Sequence, residues 1–183
     1  MTIEQDIAAL RAELADLRAE RAVRAVVMRY FRLCDTLGPD TSLDELGLCF
    51  TRDALWEGRG RYRKAFGRHE GRDAIVAMLG SYAAPVAHFA MNAHFLSTET
   101  ITIEGTIEGP EAAVGQWSML QTSTYRDGRS DLRSAALTIR CAVEDGAWRI
   151  SHFITENLFA RDVDHWSDAA PISVPDVASK EPS

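Results

Sequence analysis

The chain has 183 residues, enough for one compact domain with a real core and not comfortably for two. Its formal net charge is -7, and its basic residues are scattered among acidic ones, so it lacks the basic face of a nucleic-acid or anionic-membrane binder. Neither nucleic acid nor membrane is therefore expected as a partner. The start, Met1-Thr2-Ile3-Glu4-Gln5-Asp6, lacks the basic and apolar regions of a signal peptide, and no apolar run is long enough to span a bilayer. Cys34, Cys49 and Cys141 are odd in number, have no Cys-x-x-Cys spacing and sit in apolar settings. They read as small buried hydrophobes, which suits a reducing, cytoplasmic location.

Residues from about Ile3 to Leu37 read as helix, with Thr2 and Gln5 as a capping box. Ile3, Ile7, Leu10, Leu14 and Leu17 fall at the alternating four- and three-residue steps of a coiled-coil seam. From Val23 the stripe changes phase to Val23, Val26, Val27, Tyr30, Phe31 and Cys34, which predicts a break near Glu20. An N-terminal arm (1–20) would then precede a core domain (21–162). Gly38-Pro39-Asp40 stops the helix, and Leu43 to Phe50 forms a short one capped by Thr41 or Ser42. Ala54 to Glu57 begins a strand. The stretch Arg59 to Arg68 continues it or makes a hairpin, its arginines reading as a solvated edge.

Gly71 to Tyr82 is a further helix with Ile75, Met78 and Leu79 inward. The periodicity then switches to alternation over His88–Glu104, Ala112–Arg126, Arg133–Glu144 and Trp148–Phe159. Glu108-Gly109-Pro110, Asp127-Gly128 and Asp145-Gly146 separate these strands as turns. Helices followed by a meander of long strands predict an α+β fold. The expected form is a cone-shaped α+β barrel, with a curved, mostly antiparallel sheet wrapped around the N-terminal helices. The tail (163–183), rich in Pro, Ser, Ala and Asp, is expected to be disordered or draped.

The candidate chemistry rests on Asp35, near the end of the first helix, and His88, at the start of the first long strand. A neutral imidazole is a competent base near neutral pH, and a carboxylate on its far nitrogen fixes the tautomer and stabilises the imidazolium. Asp35 needs a reason to stand at a helix C-terminus, where the dipole disfavours an anion. Tyr30 is offset from Asp35 by about 140° around the helix, so both reach one pocket only by flanking it. Its hydroxyl is the candidate contact to a substrate oxygen. His94 and Asn92 share the His88 face on a straight strand. Those two residues, with Trp56, Trp117, Met119, Gln121 and Phe153, are the further candidates for lining a pocket for a flat, hydrophobic small molecule. His88 and His94 are up to ~20 Å apart along the strand, too far to share a metal, so no metal and no cofactor are expected.

Three stretches carry a family resemblance: Tyr30-Phe31-Arg32-Leu33-Cys34-Asp35 with Leu46 to Trp56; Gly71-Arg72-Asp73-Ala74-Ile75; and His88-Phe89-Ala90-Met91-Asn92 with Asp145 to Ile150. In that order they resemble the SnoaL-like branch of the nuclear transport factor 2-like superfamily. The metal-free lyases of that branch are similar: scytalone dehydratase, bile acid 7α-dehydratase and hexachlorocyclohexane dehydrochlorinase. The resemblance implies Asp35 and His88 as the dyad of a cofactor-independent lyase. Such an enzyme eliminates water, halide or a carbon fragment from a cyclic or aromatic substrate. The alternatives are an isomerase or polyketide-type cyclase using the same base, and a non-catalytic subunit like the small subunit of ring-hydroxylating dioxygenases. Residues that supply acid groups in the dehydratases are matched here by Gln121 and Trp117. By resemblance a homo-oligomer is expected, a trimer before a dimer.

Overall fold

The computed structural model describes residues 2–106 and 109–163. Helix α1 (Ile3–Asp35) begins with the expected capping box, the Thr2 side chain accepting from the Gln5 N–H and the Gln5 side chain from the Thr2 N–H. The break expected near Glu20 is absent: α1 is continuous over 33 residues. Nothing helix-breaking stands between Leu17 and Val23, so the helix carries two stripes on one rod. Ala19, Val23, Val27, Tyr30, Phe31 and Cys34 are buried, whereas the seam from Ile3 to Leu17 is exposed. Ser42 caps α2 (Leu43–Gly47).

The sheet has six strands: β1 (Phe50–Arg59), β2 (Arg68–Glu70), β3 (Phe89–Thr106), β4 (Gly109–Tyr125), β5 (Ser130–Glu144) and β6 (Ala147–Asp162). Their order is β2-β1-β6-β5-β4-β3, and only the β1–β6 pair is parallel. The architecture is α+β, a mostly antiparallel curved sheet that does not close into a barrel. Asp145 and Gly146 both take positive φ in the β5–β6 turn, the two-residue geometry that matches strand twist. Of the expected Glu108-Gly109-Pro110 turn, Glu108 lies outside the described residues, as does the tail beyond residue 163.

Between β1 and β2 the chain forms a short helix, α3 (Tyr62–Phe66), rather than more strand. Gly58 permits this: a Cβ there would lie 2.5 Å from the Tyr62 carbonyl oxygen. β2 is one of the two edge strands, where Arg68 pairs with Glu70. Helix α4 (Arg72–Gly80) buries Ile75 and Leu79. The core lies between α1, α2, α4 and the concave sheet face, with Phe50, Ile139 and Ile150 fully buried. All three cysteines are buried and unbridged, as expected. Among the described residues, no helix is long and apolar enough to cross a membrane.

Candidate active site

The concave face of the sheet and the last turns of α1 enclose a cavity of about 370 Å³. Trp56 and Phe153 stack at 5.4 Å with their planes 7° apart, and both line it. Tyr30 lines it too, 3% exposed, with its hydroxyl accepting from Trp56 Nε1 at 3.1 Å. Burial pushes the Tyr30 phenol well above its ordinary value, so it stays a neutral donor. Burial likewise pushes the neighbouring Cys34 thiol up to about 12, which removes it as a thiolate nucleophile at neutral pH.

The expected pairing of Asp35 with His88 is not the one the structure makes. Asp35 engages His94: its Oδ1 lies 2.6 Å from His94 Nδ1 and also accepts the His94 backbone N–H at 3.1 Å. A carboxylate at the negative end of α1 is thus repaid by two donors from β3. Since the carboxylate only accepts, His94 Nδ1 carries the proton, and in the neutral ring the lone pair is on Nε2. Nε2 has no hydrogen-bond partner among the described residues. The imidazole side chain is 10% exposed and lines the cavity; Asp35 stands behind it and does not.

His88, by contrast, is exposed at the cavity's edge, before the first residue of β3. Its backbone N–H is held by the Tyr82 carbonyl, and its ring packs edge-on against Tyr82, Phe89 and Tyr125. The reason is the landing point of α1. Asn92 Nδ2 donates to the Cys34 carbonyl, so the helix end rests over Asn92–His94, far along the strand from His88. A bulge at Ala90, between the pairs Phe89–Tyr125 and Met91–Thr124, further separates His88 from the regular face.

Asn92 and Gln121 do line the cavity, and Asn92 Oδ1 accepts from Gln121 Nε2 and Ser123 Oγ, which fixes both amides. Met119 lines it as well. Trp117 does not. Its indole lies back over Gly115, where a Cβ would approach within 2.1 Å, and its Nε1 donates to Glu99. Glycine two residues earlier on the same face gave that ring a place to lie away from the cavity. Among the described residues, no three His, Cys, Asp or Glu are grouped to hold a metal.

The sequence reading missed Arg133, Tyr125, Tyr62 and Tyr82, all of which line the cavity. The signal for Arg133 was available. It shares the parity of Ala135, Leu137, Ile139 and Cys141, all buried, so it is a cation on an apolar-facing register. Asp131 and Tyr125 hold it, with Arg133 Nε 2.8 Å from Asp131 Oδ2 and the Tyr125 hydroxyl 2.7 Å from the same oxygen.

The SnoaL-like domain model matches residues 15–154. No curated protein is significantly similar to the chain. Among solved structures, hexachlorocyclohexane dehydrochlorinase LinA-type3 from Novosphingobium barchaimii superposes with a TM-score of 0.69 at 14% identity, covering 87% of this chain and 99% of its own. A candidate scytalone dehydratase from Novosphingobium aromaticivorans gives 0.66 at 18% identity, covering 88% and 97%. A nuclear transport factor 2-like protein with a cystatin-like fold, from the same species, gives 0.63 at 24%, covering 81% and 88%. At these identities the likeness establishes the shared fold. With the family model spanning most of its length, the chain belongs to the SnoaL-like domain family.

Proposed function

We propose that the protein is a cofactor-independent lyase acting on a hydrophobic cyclic or aromatic small molecule, with His94 as its general base and Asp35 as the residue that orients it. The observation that carries this reading is the 2.6 Å contact between Asp35 Oδ1 and His94 Nδ1, with the ring set in the wall of a largely apolar cavity. The neighbours named dehydrochlorinase and scytalone dehydratase share the fold and point the same way.

In this mechanism His94 Nε2 removes a proton from a carbon beside an electron-withdrawing group. Asp35 stabilises the imidazolium. The electron pair passes to the withdrawing group and then expels a leaving group from the adjacent carbon, giving a double bond. The stacked Trp56–Phe153 wall favours a flat ring, and the Tyr30 hydroxyl in the cavity wall is the proposed contact to a substrate oxygen. A homo-oligomer is part of the proposal. The exposed seam of α1 supports it, as does an exposed apolar row of the paired Phe95 and Leu120 with Phe159.

The test is a screen of hydroxylated and halogenated aromatic and alicyclic compounds without added cofactor. On a substrate that turns over, His94→Ala and Asp35→Asn are each expected to lower kcat by about 10²–10⁴-fold, the usual worth of a positioned base. Native rates in both variants would reject the dyad. Rearranged product without expulsion would instead identify an isomerase or cyclase. Activity gained only beside a larger metalloprotein would identify an assembly subunit.

A further inference from the structure

The strand register places a second functional group opposite the dyad. His94 pairs with Gln121 across β3–β4, and Gln121 pairs with Arg133 across β4–β5. Imidazole, amide and guanidinium therefore form one row on the concave face, with the outer two backbones separated by two strand spacings, roughly 10 Å. A single ring can span from one end to the other.

Arg133 is held rather than free. Its Nε donates to Asp131 Oδ2 at 2.8 Å, its Nη2 lies 2.5 Å from the same oxygen as an ion pair, and Nη2 donates to the Tyr125 hydroxyl at 2.5 Å. Its Nη1 has no partner among the described residues. The hydroxyls of Tyr62 and Tyr82, which line the same cavity, have none either. Asp131 balances the Arg133 charge through Oδ2, its buried Oδ1 having no partner among the described residues, so the pair carries no net charge. The site offers unpaired N–H and O–H donors in a largely apolar wall. A neutral oxygen would enter without a charge penalty, and donors already in position would stabilise it as it became negative.

We propose that Arg133, assisted by Tyr62 and Tyr82, is the oxyanion site of this cavity, and that the substrate is a cyclic ketone or enone whose carbonyl oxygen lies there while His94 takes the α-proton. This rests on the reading of Asp35–His94 as the base and deepens it. The C–H electron pair moves into the carbonyl to make an enolate, whose oxygen is held by Arg133 Nη1. Collapse of the enolate restores the carbonyl as the leaving group departs from the β-carbon with the electron pair. The proton taken by His94 Nε2 passes to the leaving group or to water.

The test uses 4-nitrophenol, whose yellow phenolate imitates an enolate. Bound to the full-length protein, it should ionise about one pH unit or more below its free midpoint, equivalent to a tenfold preference for phenolate over phenol. To separate this from proton transfer to the base, the measurement is repeated in His94→Ala, where the downward shift should persist. That result would stand even if the dyad assignment failed in turnover assays.

Arg133→Met leaves Asp131 without its cation, so Arg133→Met/Asp131→Asn is measured beside it, each checked by circular dichroism. Both should abolish the shift, Arg133→Lys should restore part of it, and Tyr62→Phe and Tyr82→Phe should each reduce it about threefold in affinity ratio. A folded double variant with the native midpoint, a shift that vanishes in His94→Ala, or no binding of the probe at millimolar concentration would overturn the proposal.

Discussion

At the scale of single residues, the protein turns on which histidine meets Asp35. His88 and His94 lie on the same parity, and the sequence argument that a carboxylate at a helix end needs a partner applies equally to either. The contact to the His94 ring, reinforced by the His94 backbone N–H, selects one. This makes the two histidines separable in an assay. His88→Ala removes a ring that packs against Tyr82, Phe89 and Tyr125 at the cavity edge, and is expected to change kcat less than about threefold while altering KM. Steady-state kinetics beside His94→Ala check this, and equal losses of kcat in the two variants would contradict it.

At the scale of elements, the ends of β1, β5 and α4 are tied together by one carboxylate. Glu144 at the end of β5 accepts the Arg52 backbone N–H at 3.0 Å and pairs with Arg72 at 2.6 Å; Arg72 in turn donates to the Phe50 carbonyl. The Arg52 backbone N–H, and then Arg52 and Arg72, hold the Glu144 carboxyl below its ordinary value despite the opposing effect of burial. A carboxyl depressed in the folded state contributes stability that is complete above its unfolded value and lost as pH falls through its folded one. The melting temperature is therefore expected to fall on acidification from pH 5 through that range. Glu144→Gln should lower it near neutrality and flatten the acid slope. Parallel native and variant profiles, measured by thermal melts across pH, would refute the link. The short helix α3 is a second lesson at this scale. The arginine-rich stretch read as strand or hairpin because its charges hid the small apolar face of Tyr62 and Phe66, which packs only once Gly58 lets the chain fold back.

At the scale of the whole molecule, α1 is longer than its domain requires. Ile3, Leu10 and Leu17 are 79%, 64% and 55% exposed, a heptad seam without a partner among the described residues, along a rod whose other half is core. The double variant Leu10→Glu/Leu17→Glu is expected to shift the protein to a smaller species in size-exclusion chromatography with light scattering. A monomeric native protein, or an unchanged variant, would count against self-association through this helix. The helices other than α3 and the long strands could be read directly, because burial imposes a period of 3.6 on one and 2 on the other. Asp35 could be singled out because the helix dipole makes it anomalous. Trp117 and the choice between His88 and His94 as the partner of Asp35 could not be resolved that way. A pleat repeats every two residues, so parity assigns a side chain to a face and says nothing of its position along it. The crossing of α1 over β3 at Asn92, a contact between residues 58 apart in the chain, makes that choice.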